Sequence, residues 1–143
     1  ESRIGTDHYV WMASTLGGTP ISTAAANAAL SVLARPGTYE RLHALGRSFR
    51  AMLATVLRDR QIAAQVLGDG PLAQVAFTDR PVRDYRSSRS GDKVRARKLM
   101  LALFARGVFL NPMGTKLYLS IAHDEAMLQD FCERFDDALA ETG

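Results

Sequence analysis

The sequence is poor in the residues that staple, punctuate or metallate a small domain. It has one cysteine, five prolines, three histidines and no apolar run approaching membrane-spanning length. A lone cysteine excludes an internal disulfide and fits a reducing compartment, so a cytoplasmic setting and no membrane are expected. No signal-peptide pattern leads the chain. His8, His43 and His123 are far apart and never at metal-ligand spacing, which argues against a zinc site and, more broadly, against any metal. Nucleophile elbows, Walker loops and dinucleotide glycine fingerprints are absent as well. Aromatic residues make up 8%, and only Tyr85 interrupts the most basic stretch, too few for a single-strand stacking platform.

What is present describes a folded domain. The chain of 143 residues is 47% hydrophobic, enough for one core and against disorder. Its net charge of +3 conceals two opposed blocks. Arg80 to Lys98 holds eight basic residues against Asp84 and Asp92, and Asp124 to Glu141 holds seven acidic residues against Arg134. Either these blocks pair internally or they make two oppositely charged surfaces. Neither arrangement marks the whole chain as a nucleic-acid binder. The chain opens on Glu1 rather than Met and runs at once into a loop, which suggests a piece of something longer.

That loop, Ser14-Thr15-Leu16-Gly17-Gly18-Thr19-Pro20, is the most informative segment. Glycines let a backbone approach a ligand closely, and hydroxyls offer donors to an anion. Thr19 and Pro20 read as N-cap and first residue of an alanine-rich helix over 20–34, which Arg35-Pro36-Gly37 ends. Thr38 can cap a second helix, with Tyr39, Leu42, Leu45, Phe49, Met52, Leu53 and Val56 inward and Arg47, Arg50 and Arg58 on a solvated face. Ile62, Ala64 and Val66 alternate, as do Ala73, Val75 and Phe77 across a Gly68-Asp69-Gly70-Pro71 turn, which predicts an antiparallel pair of strands. Arg80 to Gly91 reads as polar loop. A third helix starts at Ser90 or Asp92, runs through Val94, Leu101, Phe104 and Ala105, and closes at Gly107. Val108-Phe109-Leu110 and Leu117 to Ile121 read as strands. His123-Asp124 opens a last helix with Met127, Leu128, Phe131, Phe135, Ala138 and Leu139 inward, and Cys132 on the same face reads as core. Asp124 and Glu125 answer the macrodipole there, and His123 reads as a capping or packing residue. The expected order is α-α-β-β-α-β-β-α, an α+β layer of helices on a small, largely antiparallel sheet.

Taken together, these pieces resemble the C-terminal part of a class III pyridoxal-phosphate-dependent aminotransferase of the glutamate-1-semialdehyde aminomutase-like branch. The resemblance runs from about Tyr9 to Leu139. It rests on Thr15-Leu16-Gly17-Gly18-Thr19-Pro20, Arg35-Pro36-Gly37-Thr38-Tyr39, Phe77-Thr78-Asp79-Arg80-Pro81-Val82, Gly107-Val108-Phe109-Leu110 and Tyr118-Leu119-Ser120-Ile121-Ala122-His123. It implies the small C-terminal domain of fold type I, over residues 20–143, with residues 1–19 belonging to or facing an upstream large domain and the cofactor. It also implies a homodimer acting on a small amino-acid or amine substrate, in which Thr15, with Ser14 beside it, holds the partner's cofactor phosphate. The family usually has glycine at the position of Ser14 and asparagine at that of Thr19. Some members carry a substrate-facing glutamate where this chain reads Met113-Gly114-Thr115-Lys116, so the aminomutase substrate itself is not supported. The family's cofactor lysine lies upstream of anything present, and Lys93, Lys98 and Lys116 sit in no matching motif. The resemblance therefore implies a chain that lends a cofactor contact and one wall of an active site, without catalytic residues and inactive alone. A non-catalytic dimerisation or docking module is the alternative, and a nucleic-acid binder using the Arg80–Lys98 block is a weaker third.

Overall fold

In the computed structural model, residues 15–111 and 115–142 are described. The chain divides into two compact units, residues 1–38 and 39–143. In the first, helix α1 spans Pro20–Leu33, and none of its residues is buried. The second unit carries α2 (Thr38–Asp59, its first residue at the boundary), β1 (Gln65–Leu67), β2 (Leu72–Ala76), α3 (Tyr85–Ser88), α4 (Lys93–Ala105), β3 (Lys116–Tyr118) and α5 (Glu125–Ala140). This is the expected α+β class, with helices on a three-stranded antiparallel sheet of order β1-β2-β3.

Two long amphipathic helices make the core. The period of α2 buries Leu42, Leu45, Phe49, Leu53 and Leu57, while α5 buries Leu128, Cys132, Phe135, Ala138 and Leu139. They meet the inward face of the sheet, where Ala73 and Val75 alternate with half-exposed neighbours and Leu117 faces the same side. Across the two helices the Phe49 ring meets Phe131 edge to face at 5.3 Å between centroids, and Phe131 stacks on Phe135 at 6.0 Å. Asp124 caps α5 by accepting from the Met127 N–H at 2.9 Å, as its position at a helix start requires.

Elsewhere the structure corrects the expected details. The Arg80–Gly91 segment is not all loop: Asp84 and Ser87 form a reciprocal capping box that nucleates the single turn of α3. Asp92, not Ser90, caps α4. That helix turns Leu99 and Leu103 inward, leaving Val94, Leu101 and Phe104 exposed, because it is apolar on both sides and its pattern does not select a face. Val108–Leu110 is not a strand among the described residues. The Val108 N–H is committed to Leu103 O at 2.9 Å, closing α4 together with Gly107, so it cannot join a ladder. The last strand is shorter than 117–121, and Tyr39 and Met127 are exposed rather than inward.

The acidic block does not pair with the basic one. Among the described residues, Asp130, Asp136 and Glu141 of the acidic block pair with Arg134, Arg60 and Arg106, and no ion pair joins that block to Arg80–Lys98. The two blocks are therefore separate surfaces. Arg134 also donates to Arg106 O at the end of α4, binding the last helix to the preceding one.

Cys132 is core, as its helical face indicated. Burial, and secondarily the neighbouring Glu133 charge, pushes its thiol up to about 11. A raised folded value means that the neutral thiol's contribution is complete below the ordinary value of 9.0 and is lost as pH rises through about 11. Stability by denaturant titration should hold constant from pH 7 to 8 and fall between pH 9 and 11, and Cys132→Ala should flatten that part of the profile. At pH 7, alkylation should proceed no faster than unfolding. Labelling of native protein at the rate of the denatured chain would contradict this burial.

Candidate functional site

The approach to α1 is built by a tight turn. Thr19 N–H donates to Leu16 O at 3.4 Å, enclosing Gly17 and Gly18. Gly18 has φ +81°, the value a type II turn needs at its third residue, and open space surrounds the position of an added Cβ. Backbone conformation, rather than crowding, is what calls for glycine there. Thr15 lies in a bend just before this turn with its side chain exposed. Ser14, the other expected phosphate contact, lies outside the described residues, as do His8 and Met113-Gly114.

Thr19 is at the N-cap position but does not cap with its side chain. Its hydroxyl instead donates back to Leu16 O at 3.2 Å and lies 2.9 Å from Ser22 Oγ. The expected side-chain cap is thus replaced by a brace on the turn. The consequence is chemical: the first N–H groups of α1 have no side-chain cap, and the exposed Thr15 hydroxyl precedes them. Uncapped helical N–H groups, a positive macrodipole end and a free hydroxyl are the donors that a phosphate takes.

A second set of groups lies in the other unit. A cavity of about 390 Å³ is bounded by Val108–Asn111, β3 and α5, with Phe49, Phe109, Tyr118 and Phe131 among its walls. One imidazole faces it. His123 Nδ1 accepts from the Ser120 N–H at 3.0 Å and lies 3.0 Å from Ser120 Oγ, which fixes the ring at the start of α5. Arg41 extends from α2 towards the Ile121 and His123 carbonyls, both at 3.4 Å. This is the packing role expected of His123, in a place where it also shapes a largely aromatic wall.

Several structural contacts had no sequence signal. Arg50, placed on the solvated face by periodicity, donates from Nη1 to Gly70 O and Leu72 O at 2.7 and 2.8 Å. Gln65 bonds three backbone groups of the 78–82 loop. Among the described residues, no group of three or more His, Cys, Asp or Glu side chains could hold a metal. No helix there is long and apolar enough to cross a membrane.

No family model matches the sequence. The chain is 35% identical over 133 residues to glutamate-1-semialdehyde 2,1-aminomutase of Opitutus terrae, covering 92% of this chain and 31% of that protein. It is 32% identical to the enzyme of the same name from Methanopyrus kandleri, over 96% of this chain and 32% of that one. Among solved structures, an omega-transaminase from Sphaerobacter thermophilus superposes with a TM-score of 0.82 at 30% identity, over 93% of this chain and 30% of that chain. A glutamate-1-semialdehyde aminomutase from Pseudomonas aeruginosa in complex with PMP gives 0.79 at 20% identity, over 92% and 29%, which bears on fold alone. The chain spans about a third of the length of the curated relatives it matches.

Proposed function

We propose, for a chain that belongs to the class III pyridoxal-phosphate-dependent aminotransferases and corresponds to their C-terminal part, that it completes an amino-group-transferring active site without housing the reacting lysine. In this reading residues 20–143 are the small domain of a homodimeric, cytoplasmic enzyme acting on a small amino acid or amine. Residues 1–19 face its large domain and cofactor.

The observation that carries the reading is the uncapped start of α1 behind an exposed hydroxyl. Thr15 Oγ1, with the turn and the first helical N–H groups, fits the cofactor phosphate, and Ser14 would add a second hydroxyl. Pyridoxal phosphate, when bound, supplies the electron sink for chemistry at the carbon bearing the amino group. The chain's own part is to anchor the phosphate through the Thr15 hydroxyl and the first helical N–H groups of α1. A small-residue helix with no buried position also suits close packing against more protein.

The chain alone should neither retain the cofactor covalently nor transaminate. Lys93, Lys98 and Lys116 are all exposed, on the surfaces of α4 and β3. After incubation with pyridoxal phosphate and borohydride reduction, peptide mapping should find only scattered substoichiometric adducts. A single stoichiometric adduct accompanied by turnover of any amino acid would overturn the reading.

A further inference from the structure

We propose that the cavity lined by the β1–β2 hairpin, α3 and α4 binds a small amphipathic organic anion, an aryl or alkyl carboxylate or phosphate. The cavity is about 640 Å³ and lies wholly within residues 67–115, in a different compact unit from Thr15. That volume suits a metabolite-sized ligand.

Its lining is mixed in chemistry. Leu67 and Ala76 from the sheet and Met100 from α4 are apolar. Arg89, Lys93 and Arg97 carry positive charge. Among the described residues no carboxylate pairs with any of these three, since the ion pairs go to Arg58, Arg60, Arg106 and Arg134. The one carboxylate on the lining, Asp92, already accepts the Arg95 N–H as the cap of α4. Lys93 and Arg97 stand one helical turn apart, where like charges repel.

Beside the cavity, the Arg95 guanidinium lies 5.2 Å from the ring centroid of Phe77, a lining residue, and among the described residues Arg95 Nε is buried with no hydrogen-bond partner. An inorganic anion would satisfy the cations but leave the apolar side chains wetted. A neutral apolar molecule would do the reverse. An anionic head on an apolar body serves both sets of residues, through charge-assisted hydrogen bonds and burial of apolar area.

The test is an amide chemical-shift titration of the whole chain at constant ionic strength, using benzoate and phenyl phosphate against acetate, inorganic phosphate and benzyl alcohol. Saturable shifts confined to β1, β2, α3 and the first half of α4 are expected. The two aryl anions should bind at least about tenfold more tightly than the head-only and neutral probes, one such factor being the worth of a single charged hydrogen bond. Arg89→Gln with Arg97→Gln, both at exposed positions, should weaken aryl-anion binding about tenfold or more with the rest of the spectrum unchanged. Lys93→Gln alone is the second variant, with a smaller loss in the same direction. Shifts spread over all basic residues without saturation, equal binding of benzyl alcohol, equal binding of inorganic phosphate, or unchanged affinity in the variants would each overturn the proposal. Failure of the cofactor reading would leave this result untouched, because no cofactor enters the titration.

Discussion

Gly46→Ala should lower the unfolding free energy by roughly 3 kcal/mol or more, although helix propensity alone favours alanine by about 1 kcal/mol. Gly46 is buried in the middle of α2, where the helix crosses the turn between β1 and β2. A Cβ there would lie 1.9 Å from Gly70 O, 2.9 Å from Gly70 C and 3.1 Å from Pro71 Cα, all of them backbone atoms. No side chain can rotate aside, so helix and hairpin must separate. Separation also stretches the Arg50 clamp, which donates to the same Gly70 carbonyl and to Leu72 O. Denaturant titration of the wild type, Gly46→Ala and the exposed control Arg47→Ala is the measurement, and the control should stay within about 0.5 kcal/mol. A Gly46→Ala variant as stable as the wild type would mean that α2 and the hairpin do not approach this closely.

That contact also shows where the residue pattern could be read and where it could not. Helices α2 and α5 were legible because each keeps a single apolar stripe over many turns, so period alone selected Leu42, Phe49, Leu128 and Phe135 as core. Helix α4 was legible as a helix but not in its orientation. Val94, Leu101 and Phe104 make as good a stripe as Leu99 and Leu103, and only the tertiary packing, chiefly against α5, decides between them. Val108–Leu110 is a short apolar run that reads as a strand, yet its first N–H closes the preceding helix, a choice settled by Gly107 rather than by hydropathy. Arg50 could not be placed, because its partners are twenty and twenty-two residues away and are carbonyls, which have no sequence identity.

The candidate site divides along the same line. The turn and the start of α1 followed from Gly17-Gly18-Thr19-Pro20, since a positive φ and a first-turn proline are local demands. The direction of the Thr19 hydroxyl did not follow, because Ser22 and the Leu16 carbonyl compete with the helix N–H groups for it. The ligand itself was suggested by the family resemblance and by nothing in the composition. The basic residues around α4 looked like an ordinary solvated face in sequence. Three of them, Arg89, Lys93 and Arg97, line one cavity together with Tyr85 and Ser88 of α3, a single turn that no period could reveal.

In the proposed parent enzyme, Thr15→Ala should weaken pyridoxal phosphate retention about ten- to a hundredfold, the equivalent of one hydrogen bond to a charged phosphate at roughly 1.5–3 kcal/mol. The apo-protein's melting temperature should barely move, because the Thr15 side chain is exposed in a bend and lies ahead of the helix rather than in it. Thr15→Ser keeps the donor and should keep most of the affinity. Thr19→Ala should behave differently from both. Its hydroxyl braces the turn through Leu16 O and Ser22 Oγ and caps no helical N–H, so its loss should cost less than the ~1 kcal/mol of a side-chain cap. Cofactor affinity should fall only as far as the turn loosens. The measurement pairs cofactor dissociation, followed by absorbance under dilution, with thermal unfolding of the apo form. If Thr15→Ala leaves cofactor affinity unchanged, or lowers apo stability as much as it lowers affinity, Thr15 is a turn residue and the phosphate is held elsewhere. A Thr15→Ser variant as weak as alanine would point the same way, because a hydroxyl donor retained without effect was never the contact.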